Sequence, residues 1–389
     1  MAETREVGGV QAHSQVRALV AVLQFTLQED DAGHGGSLSA RPVTRRAGAA
    51  AKKARCRHGM RSAQRIDSAA MTCPSSFAEP GARVAVLLGG LSTERPISFK
   101  SGRAVAAALR SRGHDVVEID VGYDIDQRLR QEGAEVVFPV LHGKWGEDGS
   151  IQGLLECMGL PYAGPSVAAA ALTMDKVATL QLLRGEGLPI PAGLVVDRAG
   201  LEAGLPALSF ELPAIVKPVR EGSSYGITRI TEVGQLHPAV EQALEFDDRV
   251  LVEECLAGPE LTVGILEGRA LCVVEIEPVE GWFDFEAKYT LGRTEYHVPA
   301  RISADLAAEV RDMSLRAALL TGCGDSCRVD VMAGAARGPR ILEVNTIPGM
   351  TATSLLPMAA AAEGIDFAEL CCRLLALARL RNGEPVAGD

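Results

Sequence analysis

The chain has 389 residues, enough for two or three domains and a sizeable core. Its apolar fraction of 47% and charged fraction of 23% are those of an ordinary soluble globular protein. A formal net charge of −11 excludes a mainly electrostatic grip on nucleic acid, and nine cysteines without paired metal or framework spacing read as reduced thiols of a cytoplasmic protein.

Residues 1–80 read as a disordered or non-native extension. The first seventy are basic where the remainder is acidic, and Ala, Gly, Ser and Arg dominate 32–70 without apolar periodicity. An apolar run at 18–27 (ALVAVLQFTL) has the length of a signal h-region but is too short to span a bilayer. Gln28-Glu29-Asp30-Asp31 follows it where small cleavage-site residues would be needed, so no export and no membrane association are expected. Met71 precedes the first clear strand and is a candidate start.

Over 81–164 the pattern predicts a parallel α/β domain. RVAVLL at 83–88 is an apolar strand ending in Gly89-Gly90. Ser98 is placed as the cap of a helix running to Arg112, and 116–120 and 136–139 are further strands. Over 165–253 a small α+β domain is expected, with a helix at 175–187 and strands at 213–217, 226–230 and 250–254. Over 254–384 longer strands follow at 261–266 and 270–277. A helix capped by Ser303, strands at 328–332 and 340–345, and a closing amphipathic helix marked by Phe367, Leu370, Leu374 and Leu377 complete the chain.

Strand alternation puts Arg328 and Asp330 on one face, and Glu343 and Asn345 on one face. If the two strands pair, two carboxylates and an amide converge, which suits Mg²⁺ with phosphates completing its shell. A solvated face with a salt bridge from Arg328 explains the same spacing, and both readings stay open. Gly222-Ser223-Ser224-Tyr225-Gly226 is a glycine-rich loop whose N–H groups could cover phosphate oxygens, with Lys217 at its mouth. Alone, it is as well explained by a hairpin turn. No G-x-x-x-x-G-K-[ST] run and no G-x-G-x-x-G after a strand occur, so neither a P-loop nor a dinucleotide fold is indicated.

Two runs resist a core or surface explanation: His142-Gly143-Lys144-Trp145-Gly146-Glu147-Asp148-Gly149-Ser150-Ile151-Gln152-Gly153, and Glu343-Val344-Asn345-Thr346-Ile347-Pro348-Gly349-Met350-Thr351-Ala352-Thr353-Ser354. Together they resemble the signature regions of D-alanine–D-alanine ligases, and the resemblance extends from about Val84 to about Leu380. It implies a three-domain ATP-grasp architecture. It also implies ATP-dependent joining of two D-alanines through a D-alanyl phosphate, for peptidoglycan precursor synthesis.

The resemblance implies roles residue by residue. Lys176, Lys217 and Lys288 correspond to lysines on the ATP phosphates. Ser224, Glu253, Glu254, Leu256 and Glu260 fall at the nucleotide, Glu253 at the adenine amino group and Glu260 at the ribose. Asp330, Glu343 and Asn345 correspond to ligands of two Mg²⁺ ions, for which Mn²⁺ can substitute. Arg328 and the Gly349 N–H correspond to an oxyanion-stabilising pair. Glu94 corresponds to the carboxylate on the first D-alanine's ammonium, with His142 beside it. Ser223 and Tyr289 correspond to its partners in a network closing the site, and Ser354 with the Leu355 N–H grips the second carboxylate. On ordinary odds Glu94 would be a surface charge and His142 a structural histidine. A homodimer is implied. The alternatives are a D-alanine–D-lactate or D-alanine–D-serine ligase, discriminated by Tyr289, and an inactive nucleotide-binding relative.

Overall fold

The computed structural model describes residues 77, 79–222, 225–279, 292–334, 337–351 and 353–381. The expected extension, with its apolar run and Met71, lies outside the described residues up to 76, and Phe77 already packs against the core that follows it.

Three sheets organise the described residues. The first is parallel, in the order β2-β1-β3, from β1 (Arg83–Leu88), β2 (Asp115–Asp120) and β3 (Val136–Pro139). Parallel neighbours need crossovers, supplied by α1 (Arg95–Ser111) and α2 (Ile125–Gln131), and α3 (Ser150–Met158) follows β3.

The cap expected at Ser98 is not there. α1 starts a turn earlier because Pro96 sits in its first turn, where the missing N–H costs no helical bond. Ser98 is instead buried, its hydroxyl donating to the Val140 carbonyl at 2.5 Å, so it ties the helix to the end of β3. Gly102 lets α1 lie directly on β1, since a Cβ there would stand 2.5 Å from that of Leu88. Val105 and Leu109 on the same helix face are fully buried, each contributing about 1.5–3 kcal/mol.

The second sheet is antiparallel, in the order β4-β7-β5-β6. It is preceded by α4 (Val167–Met174) and α5 (Lys176–Gly185). Its strands and helices are β4 (Gly193–Asp197), α6 (Arg198–Ala203), β5 (Ala214–Pro218), β6 (Thr228–Ile230), α7 (Leu236–Ala243) and β7 (Arg249–Glu254). Asp175 caps α5 by accepting from the Ala178 N–H at 3.0 Å, which fixes Lys176 as its first residue.

The third sheet has the order β10-β9-β8-β11-β12, from β8 (Glu260–Leu266), β9 (Arg269–Pro278), β10 (Thr294–His297), β11 (Ser326–Gly334) and β12 (Gly338–Asn345). α8 (Ala304–Leu320), capped by Ser303 as expected, packs with alternate residues Val263 and Ile265 of β8. On the other face α9 (Leu355–Ala362) sits on Gly264, where a Cβ would meet Leu356 at 2.7 Å. α10 (Phe367–Ala376) closes a core shared with β1 and α1, and Arg112 on that side reaches Asp366 at 2.9 Å. Among the described residues, no helix is long and apolar enough to cross a membrane.

Candidate active site

A cavity of about 470 Å³ opens between the three sheets. Its first wall is the loop after β3. Gly143 has φ +68, and a Cβ there would stand 2.6 Å from Glu94 Oε2, so only glycine lets the loop lie against that carboxylate. The rest of the run ties the loop to itself. Asp148 accepts from the Trp145 and Ser150 N–H groups, each at 2.9 Å, and the Gln152 amide donates to the Gly146 carbonyl at 2.7 Å. The residues left to face the cavity are His142 and Glu147.

His142 is buried, and burial pushes its pKa down to about 4. The Arg328 guanidinium adds to the shift, and a hydrogen bond to the Ile347 backbone partly opposes it. The imidazole is therefore neutral at pH 7. Its Nε2 is buried with no hydrogen-bond partner among the described residues, so it is open to a substrate group. Glu147 moves the opposite way. Burial and the neighbouring Glu94 charge push it up to about 8, against hydrogen bonds to the Gly143 and Ile347 backbone and the pull of Arg328.

The second wall is the β11–β12 pair. Its register sets Arg328 opposite Asn345 and Asp330 opposite Glu343, so the convergence expected from alternation is realised. Arg328 grips Asp330 with two bonds of 2.9 and 2.8 Å. The Thr262 hydroxyl donates to the same carboxylate at 2.6 Å. The Asn345 amide nitrogen lies 3.0 Å from Asp330 and 3.4 Å from Glu343. Turning that amide over presents its oxygen beside the two carboxylates, giving three hard donors within reach of one another, a set that fits Mg²⁺. Lys176 approaches Glu343 at 3.8 Å and donates to the Glu221 carbonyl at 2.6 Å.

The third wall is the turn into α9. Ser354 Oγ lies 2.9 Å from the Thr351 hydroxyl and accepts from the Thr351 N–H at 3.1 Å. Ser354 makes no side-chain cap to α9, whose first residue is Leu355. The helix N-terminus, with Gly349 alongside, is therefore a place for an anion.

Lys217 and Glu253 stand apart from these walls. They hold each other at 2.5 Å from neighbouring strands β5 and β7, both buried. Glu253 Oε2 has no partner among the described residues, which leaves it able to accept from an amino group. Glu254, next on β7, has its carboxylate engaged by the Ala192 N–H at 3.0 Å and Arg337 at 2.9 Å. Leu256 follows β7, and Glu260 opens β8. Ser223, Ser224, Lys288 and Tyr289 lie outside the described residues. Sequence reasoning missed Thr262, for which a lone strand threonine gives no signal. It quoted Glu147 without a role, although a second carboxylate five residues after His142 was visible.

Carboxylates and an amide on paired strands, Lys176 at the start of α5 and a helix N-terminus around one cavity, with Lys217 on a separate antiparallel sheet beyond it, define a ligase of the ATP-grasp class. The comparisons agree. Residues 182–376 match the family model described as D-ala D-ala ligase C-terminus, and residues 122–165 the one described as D-ala D-ala ligase N-terminus. The D-alanine--D-alanine ligase of Anaeromyxobacter dehalogenans (strain 2CP-C) is 47% identical over 302 residues, covering 77% of this chain and 98% of that relative. The crystal structure of D-alanine--D-alanine ligase from Bacillus anthracis complexed with ATP is similar with a TM-score of 0.66 and 29% identity, covering 76% and 97% of the two chains. VanG D-Ala:D-Ser ligase from Enterococcus faecalis is similar with a TM-score of 0.65 and 30% identity, covering 76% and 99%. The chain belongs to the D-alanine–D-alanine ligase family.

Proposed function

We infer that this protein joins two D-alanines at the expense of ATP, supplying the dipeptide for peptidoglycan precursors. The observation that carries the reading is that one cavity is lined by a carboxylate at Glu94, a guanidinium at Arg328, and a helix N-terminus at Ser354 and Leu355. These groups suit an ammonium, a reacting carbonyl and a second carboxylate.

A carboxylate oxygen of the first D-alanine attacks the γ-phosphorus of ATP, and ADP leaves. The amine of the second D-alanine then attacks the acyl carbon, the oxyanion forms between Arg328 and the Gly349 N–H, and phosphate departs as the nitrogen gives up its proton. Lys176, Lys217 and Lys288 draw off charge from the triphosphate, which suits a transfer governed by positioning and neutralisation. An oxygen of Glu253 with no partner among the described residues supports its role at the adenine amino group, with Glu260 at the ribose. Asp330, Glu343 and Asn345 would hold two Mg²⁺ ions, or Mn²⁺, which when bound neutralise phosphate oxygens. Ser223 and Tyr289 are assigned, with Glu94, to closure over the acyl phosphate, which water would otherwise hydrolyse. A homodimer in the cytoplasm completes the reading.

Phosphate release with ATP and Mg²⁺, compared for D-alanine, L-alanine, D-lactate and D-serine, tests it. D-Alanine alone should sustain full turnover. Preference for a D-alanine–D-serine or D-alanine–D-lactate mixture would replace this reading by that of a VanG-like or depsipeptide ligase. No release with any of them would overturn it.

A further inference from the structure

Glu94 is clasped between two glycines from separate loops. A Cβ on Gly143 would stand 2.6 Å from its Oε2, and one on Gly222 would stand 3.1 Å from the same oxygen. On its other side Gly143 donates its N–H to Glu147 Oε2 at 2.6 Å. Two carboxylates thus meet across one glycine, and both line the same cavity.

Among the described residues, the charges that act on Glu147 are those of Glu94 and Arg328. Glu94 faces Glu147 from the turn before α1, and Arg328 faces it from β11. On its own loop the other titratable groups are His142, which is neutral, the exposed Lys144, and Asp148, whose carboxylate accepts from the Trp145 and Ser150 N–H groups. From the second sheet's side Glu221 adds a third carboxylate that feels Glu94 as a like charge. Among the described residues, Arg328 holds Asp330, Lys176 lies against Glu221 and Glu343, and Lys100 also lines the cavity.

We propose that Glu147 is a second carboxylate of the ammonium site, holding a proton against Glu94 when the site is empty and releasing it to water when the first amino acid's ammonium arrives. This rests on the ligase reading above and deepens it. Charge balances, since one proton leaves as one ammonium enters. The upward shift of Glu147 to about 8 agrees with the geometry. Below that pH, binding must displace a proton, so first-site affinity rises about tenfold per pH unit and flattens above it. A hydroxy acid brings no cation to exchange, so it is excluded from the first position though not from the second.

The test is calorimetric titration of D-alanine into the full chain with Mg²⁺ and a non-hydrolysable ATP analogue at pH 7, in two buffers of different ionisation enthalpy. The wild type should release about one proton per first-site D-alanine. Glu147→Gln keeps an acceptor for the Gly143 N–H but has no proton to give, so release should fall close to zero. Its KM for the first D-alanine should lose its pH dependence. Heats independent of buffer in the wild type, or full proton release in Glu147→Gln, would overturn the proposal. The wild-type measurement decides by itself if the variant does not fold. Absence of any D-alanine binding would count against the ligase reading instead.

Discussion

Glu343→Gln should lower ATP-dependent phosphate release by about a thousandfold, roughly 4 kcal/mol in barrier height, while the protein stays folded. Glu343 faces Asp330 across the β11–β12 pair, within reach of Asn345 and of Lys176. Glutamine preserves size and one acceptor oxygen but removes the charge that a pair of divalent ions needs when it is shared between protein and phosphates. The side chain is a quarter exposed and carries no core packing, so the melting temperature should move little. Phosphate release at saturating Mg²⁺, with a thermal melt alongside, checks this. Near-normal turnover would remove Glu343 from the metal site.

Arg328→Lys should lower kcat by two to three decades, about 3–4 kcal/mol, with little change in the KM for ATP. The guanidinium spends two of its donors on Asp330. Lysine keeps the charge but not the planar fork, so it cannot hold Asp330 bidentately and reach the tetrahedral oxygen together. Asp330 retains Thr262 as a donor, which protects the fold. Steady-state kinetics separate the outcomes: a rise in the KM for ATP with unchanged kcat would place Arg328 on the nucleotide rather than on the reacting carbonyl.

Both variants concern strands legible in the sequence. Period-two alternation predicted that Asp330, Glu343 and Asn345 would share a face once β11 met β12, and the register brings them together. The apolar runs of β1 and β3 were equally plain, because strands of a covered parallel sheet are buried on both faces. Other features were not legible. α4 reads VAAAALTM, with no polar face to give a helical period. α1 was entered a turn late because Ser98 looked like a cap, whereas Pro96 already marked the first turn.

The site's supporting contacts were hidden for a different reason: they join distant segments. Thr262 reaches Asp330 across 68 residues of sequence. Lys217 and Glu253, given separate tasks on the nucleotide, hold each other through the β5–β7 pairing. The burial of Glu147 could not be read either, since a charge in a glycine-rich loop is ordinarily solvated. Burial by segments distant in sequence and the charge of Glu94 make it a perturbed group, against the opposing hydrogen bond to the Ile347 backbone.

The central claim is that the carboxylate of one D-alanine is phosphorylated by ATP before the second amine attacks. D-Alanine labelled with ¹⁸O in its carboxylate tests it most directly. Reacted with unlabelled ATP, it should yield phosphate carrying one ¹⁸O per dipeptide formed, because the oxygen that attacks phosphorus leaves with it. Phosphate free of label, with dipeptide still produced, would contradict the account.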